Sequence, residues 1–130
     1  MVLKHQILAW FFLCVGLIEV TANVFFLVRL VCRKDFAPAQ TFHGDFPPFA
    51  SRRAWTIKVV AMLLIGMSAL SASILIFLVN PTRTVSIWIV SDGMLGVGFV
   101  QAFRYGSKHP PAFGSLWVGL VFSVLTYFLD

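Results

Sequence analysis

Charge is what this sequence lacks most. Only 12% of its 130 residues are Asp, Glu, Lys or Arg, where a water-soluble domain carries roughly 25%. Hydrophobic residues reach 59% and mean hydropathy is +0.90. A surface bathed in water on every side is thereby excluded, and an integral membrane protein is expected. Cysteine is scarce too. Cys14 and Cys32 lie eighteen residues apart on one expected helix, about 27 Å along it, so they cannot pair. There is no CxxC motif and no Cys/His cluster with metal spacing, so neither a redox dithiol nor a metal site is expected. His5, His43 and His109 fall in loops or at ends, away from where a membrane haem takes its axial ligand. The expectation is therefore no cofactor. Ser/His/Asp groupings and zinc motifs are missing as well. Gly93-Met-Leu-Gly96-Val-Gly98 lies inside an apolar run rather than between a strand and a helix, which disqualifies it as a phosphate loop. Nothing points to an enzyme.

What the chain has in abundance is long apolar runs, at 7–30, 57–79, 85–103 and 113–129. A spanning helix needs about 17–25 residues, and the period-2 alternation of a membrane barrel is absent. The expected fold is all-α, a single membrane domain over 1–130 built as a four-helix bundle. The first run begins like a signal peptide, with Val20-Thr-Ala22 resembling a cleavage site. It continues past Ala22, which favours a retained first helix.

The ten basic residues outnumber the five acidic ones. They crowd the helix ends, which is a topology signal rather than a nucleic-acid surface. With four spans, Arg33, Lys34, Arg52, Arg53, Arg104 and Lys108 fall on one side, flanked by Arg29 and Lys58. Only Lys4 and Arg83 fall on the other. The positive-inside rule puts the basic side, with the 33–55 loop, in the cytoplasm and both termini outside, in an inner or plasma membrane.

That loop, RKDFAPAQTFHGDFPPFASRRAW, has Pro38, Pro47 and Pro48, which argue against a regular helix in it. Its four phenylalanines suggest a segment lying against headgroups or a partner. Asn80-Pro81-Thr82-Arg83 reads as a tight turn, as does 107–112 with Pro110 and Pro111. Trp10, Trp55, Trp88 and Trp117 each lie near a helix end, as in an aromatic belt. Ser115, Gly119 and Ser123 recur every four residues. Together with Gly66, Gly93 and Gly96 they mark candidate helix-packing faces, within the chain or between chains of a homo- or hetero-oligomer.

Two acids stand out because they lie midway along apolar runs, Glu19 and Asp92. An ionised acid at that depth costs at least ~2.5–3.5 kcal/mol, so it must be neutral, paired or facing a wet cavity, and its default role is functional. Asn23 follows Glu19 by one helical turn and shares its face. Trp88 and Gly96 flank Asp92 by one turn each, an arrangement suited to an organic cation through charge and cation–π contact. No cation is expected in the membrane core beside these acids. Glu19, Asn23, Trp88 and Asp92 are the candidate proton- and substrate-binding residues.

The segment Ile18-Glu19-Val20-Thr21-Ala22-Asn23-Val24-Phe25 resembles the first helix of the polyamine-exporting branch of the small multidrug resistance transporters. Met67-Ser68-Ala69-Leu70-Ser71-Ala72 is similar to that branch's second helix. Looser likenesses are Pro81-Thr82, Ile87-Trp88, Gly93, Tyr105-Gly106 and Gly119. The resemblance implies an antiparallel dimer in which Glu19 is the carboxylate shared by protons and cationic substrate. It makes Trp88 an aromatic wall and places a dimer contact on the stripe Ser115, Gly119 and Ser123. The 33–55 loop is longer than that family's turn, and Asp92 is an additional acid. Two functions are therefore expected. One is proton-coupled export of small organic cations or polyamines. The alternative is a non-catalytic accessory subunit of a larger membrane complex, with Glu19, Asn23 and Asp92 as interhelical hydrogen-bonding glue.

Overall fold

A computed structural model describes residues 3–79 and 85–129, and every regular element among them is helical. The elements are α1 (Leu3–Val31), α2 (Ala37–Phe42), α3 (Arg52–Val79), α4 (Val85–Tyr105), a 3-10 turn (Pro110–Phe113) and α5 (Gly114–Leu129). The expected turn at Asn80–Arg83 lies outside the described residues. Three stretches, Leu3–Val31, Arg52–Leu78 and Pro110–Phe128, are long and apolar enough to cross a membrane. The helix α4, which spends three of its 21 residues on Asp92, Gln101 and Arg104, is not among them.

The helices pack in two intimate pairs, α1 with α3 and α4 with α5, joined mainly by α3 against α4. Glycine makes both pairings possible. A Cβ at Gly66 would lie 2.8 Å from the Cβ of Glu19, and one at Gly16 would lie 2.9 Å from the backbone nitrogen of Leu70. In the second pair a Cβ on Gly119 would meet the backbone nitrogen of Leu95 at 2.7 Å. Backbones this close are what small residues permit at a helix–helix contact. Of the other expected packing residues, Gly93 makes ordinary contact with Ile65, while Gly96 faces open space. Ser123 is half-buried, its hydroxyl without a partner among the described residues, and Ser115 belongs to a polar cluster described below.

Two apolar cores result. One gathers Leu8, Phe12, Met62, Ile65, Ile76, Val90, Met94 and Phe122. The other gathers Phe26, Leu30, Ala39, Phe46, Trp55 and Val59 at the end where the 33–55 segment folds over. That segment is more ordered than its prolines suggest, because Pro38 lies in the first turn of α2. An N–H there would have no intrahelical acceptor, so proline costs nothing at that place. Both ends of the segment are pinned by arginines. Arg29 Nη2 donates to Asp35 Oδ1 at 2.9 Å, and Arg52 Nη2 donates to the Leu30 carbonyl at 2.6 Å, capping α1. Helix α1 closes on Arg33 in the left-handed region (φ 58°). Lys34 N–H reaches back to Arg29 and Arg33 N–H to Leu30, a Schellman ending with arginine where glycine is usual.

Trp55, expected at a membrane interface, is instead fully buried. It sits between Phe36 and Phe46, at ring-centroid distances of 5.8 and 4.8 Å. The reason is that α3 begins at Arg52, so Trp55 falls within its first turn, beneath the folded segment. Trp10 and Trp117 are exposed, and Trp88 is half-buried.

Candidate functional site

Between the two apolar cores runs a polar layer. Its residues follow from register: on α1 the apolar contacts stop at Val15 and resume at Ala22, leaving Glu19 between them. On α3, Lys58 lies between Trp55 and Met62; on α4, Gln101 lies between Val97 and Tyr105. The 33–55 segment adds His43 and Asp45, and α5 adds Ser115. Glu19, His43, Asp45, Lys58 and Ser115 line one cavity of about 370 Å³, completed by Phe42, Met62 and Met94 among others.

On one side of this cavity every hydrogen of a buried ammonium is used. Lys58, only 4% exposed, donates from Nζ to Gln101 Oε1 at 2.8 Å, to Ser115 Oγ at 3.1 Å and to Asp45 Oδ2 at 3.3 Å. An ammonium has three donors and no acceptor, so its capacity is filled. The partners are filled in turn. Gln101 Nε2 donates to Asp45 Oδ2 and to the Ala112 carbonyl, each at 2.8 Å. The Ser115 hydroxyl donates to Asp45 Oδ2. Burial alone would push the Asp45 carboxyl upward. The Lys58 charge and the bonds from Ser115 and Gln101 outweigh it and hold the group below its ordinary value.

The opposite side is a directional chain. Asn23 is fully buried. Its Nδ2 donates to the Glu19 carbonyl at 2.7 Å and to Glu19 Oε2 at 2.9 Å. With the amide nitrogen committed to Glu19, Asn23 Oδ1 must accept, and its partner is His43 Nε2 at 2.7 Å. His43 therefore carries its proton on Nε2. Burial pushes this imidazole down to about 4, the Lys58 charge acting in the same sense and the Asp45 charge against it. The ring is neutral at neutral pH. Among the described residues, His43 Nδ1 and Glu19 Oε1 make no hydrogen bond.

The sequence pairing of Glu19 with Asn23 thus coincides with a direct contact. Trp88 and Asp92 do not join it. Asp92 is exposed on α4, and neither residue lines the cavity. The expectation that no cation lies near the acids is corrected by Lys58. Read as a flanking charge at a helix end, it lies six residues inside α3, about 9 Å from its start, with its head turned into the bundle. His43, Asp45, Lys58, Gln101 and Ser115 carried signals that went unread. Lys58 and Gln101 are polar residues inside helical runs at the period of the buried face, and the loop's two carboxylates, Asp35 and Asp45, are of the type that answers a buried ammonium. No group of three or more His, Cys, Asp or Glu poised to hold a metal occurs among the described residues. No protein-family model, no curated protein and no solved structure matches this chain.

Proposed function

We propose that the chain is a four-helix integral membrane protein, its 33–55 segment folded over the cytoplasmic end, that exchanges protons for small organic cations at Glu19. The observation that carries this reading is the asymmetry of the two cavity acids. Asp45 is neutralised by Lys58 and holds three donors on one oxygen. Among the described residues Glu19 has a single side-chain partner, Asn23, and it opens onto the cavity. With Glu19 ionised, Glu19, Asp45 and Lys58 together carry one net negative charge, which a proton or a monovalent cation neutralises equally well. Each would expel the other. Phe42 offers an aromatic face in the same cavity, the role first expected of Trp88, and aromatic faces attract organic cations.

The test uses the full chain reconstituted in liposomes with an imposed pH gradient and radiolabelled tetramethylammonium, a monovalent cation with no neutral form to cross bare lipid. Gradient-driven flux is expected with the native protein, falling to the empty-liposome level in Glu19→Gln with membrane insertion intact. Unchanged flux in that variant, or none in the native protein, overturns the proposal. The exposure of Asp92 favours a second reading, that another membrane chain covers this face of α4 and the protein serves as an accessory subunit. Co-purification of a stoichiometric second chain in mild detergent, lost in Asp92→Leu, would decide for it.

A further inference from the structure

A second cavity, of about 330 Å³, lies between α3 and α4 and is lined by Ile57, Ala61, Gly96, Val97 and Val100, with Arg104 at one end. It opens outward, since Ile57 is 61% and Val100 66% exposed. Gly96 leaves the groove clear: no heavy atom lies within 4 Å of where its Cβ would stand. The contents of the walls change along its length. The stretch along α4 from Gly96 to Val100 is apolar, and the last turn brings a guanidinium. Arg104 makes no ion pair among the described residues, the two pairs there being Arg29–Asp35 and Lys58–Asp45. Its guanidinium carbon lies 5.9 Å from the centroid of the Tyr105 ring. Beside it Phe103 is 96% exposed, a side chain suited to hydrocarbon.

We infer that this groove holds one acyl chain of an anionic phospholipid, with the lipid phosphate on Arg104. The inference rests on the reading of the chain as membrane-embedded. Charge complementarity decides the occupant. A helix from a partner protein would need a carboxylate and a ridge of side chains, whereas a phosphate with a flexible chain matches one free guanidinium beside a smooth apolar trough. Arginine takes phosphate oxygens through two parallel N–H bonds. Lys58 and Gln101 line this groove and hold the Asp45 cluster as well. The acyl chain would lie over the outer side of that cluster and keep it dry.

Native mass spectrometry of the purified full chain, titrated with dioleoyl phosphatidylglycerol or dioleoyl phosphatidylcholine, tests this. The native protein is expected to hold one phosphatidylglycerol at least about fivefold more tightly than phosphatidylcholine, the factor that one arginine near an anionic headgroup supplies. Arg104→Gln should bring that ratio to about one. Gly96→Leu fills the trough without touching Arg104 and should weaken both lipids severalfold. Thermal unfolding of each variant in detergent checks that it is folded. Equal binding by native protein and folded Gly96→Leu, or a headgroup preference that survives Arg104→Gln, overturns the inference. A protein that washes from membranes in alkaline carbonate would instead sink the membrane reading. Loss of cation flux in Glu19→Gln bears only on transport.

Discussion

The two sides of the polar cavity use similar residue types and reach opposite conditions. Around Lys58 every donor has an acceptor, and one oxygen of Asp45 collects three bonds. Around Glu19 the chain His43–Asn23–Glu19 ends, among the described residues, with an unbonded atom at each end. A buried ammonium left short of partners is costly, which forces the first side to completion. Here three acceptors complete the ammonium's shell, whereas the Glu19 carboxyl has one side-chain donor among the described residues and room to take up a proton. The saturated side is a fastening that holds the 33–55 segment, α3, α4 and α5 together. The unsaturated side has capacity left for a ligand.

The largest effect should come from breaking the fastening. Lys58→Met leaves the Asp45 carboxylate buried without its counter-charge, and removing one partner of such a pair costs about 3–5 kcal/mol. Neutralising both, in Lys58→Met/Asp45→Asn, should recover most of that loss. Thermal and denaturant unfolding in detergent measure it. A single variant within ~1 kcal/mol of the native protein would mean that Lys58 is solvated rather than locked.

Acid should act next, and on the other side first. His43 titrates at about 4 in the folded chain against 6.5 when free. Between those values the unfolded chain binds a proton that the folded one refuses. The destabilising His43 contribution is therefore nil above pH 6.5, grows as pH drops toward 4, and levels off below. The full loss approaches ~3 kcal/mol at 1.36 kcal/mol per pH unit. Asp45 behaves in the lower window: its carboxyl is held below the ordinary value of 3.8, so the stability it gives persists above that value and fails only as pH falls through its folded one. His43→Gln keeps a donor for Asn23 and cannot titrate, so its loss of melting temperature between pH 6.5 and 4 should be clearly smaller than that of the native protein. A slope equal to the native one would assign the acid sensitivity to another group.

The helices were legible because long apolar runs without period-2 alternation admit few alternatives to helix. Glu19 with Asn23 was legible because a turn's spacing on one helix fixes their contact. What could not be read was everything that depends on the 33–55 segment folding inward. Prolines look like breakers until one knows that Pro38 occupies a first turn. Lys58 looks like a topology charge until Asp45 is seen reaching it from thirteen residues away in sequence. Asp92 shows the reverse error. Its depth in an apolar run matches that of Glu19, but it lies on the outer face of α4. Sequence depth measures distance along a helix; the side of the helix that meets the cavity depends on how neighbouring helices are rotated.

The smallest change in stability is expected where the largest change in function is proposed, and that contrast tests the comparison itself. Glu19→Gln keeps side-chain volume and leaves a carbonyl oxygen to accept from Asn23 Nδ2. No neighbouring donor loses its acceptor, so unfolding should shift by under ~1 kcal/mol. The amide of Asn23 neither gains nor loses protons in the working range. It therefore cannot pass a proton from His43 to Glu19, and His43 acts by orienting the amide. It follows that Asn23→Ala should disturb cation affinity while leaving the count of protons exchanged per cation at one, whereas Glu19→Gln should abolish the exchange altogether. Isothermal titration with methylammonium in two buffers of different ionisation enthalpy counts those protons. If Asn23→Ala alone eliminates proton release, the chain is a relay, and the division between a fastened side and a free side gives way to one connected path.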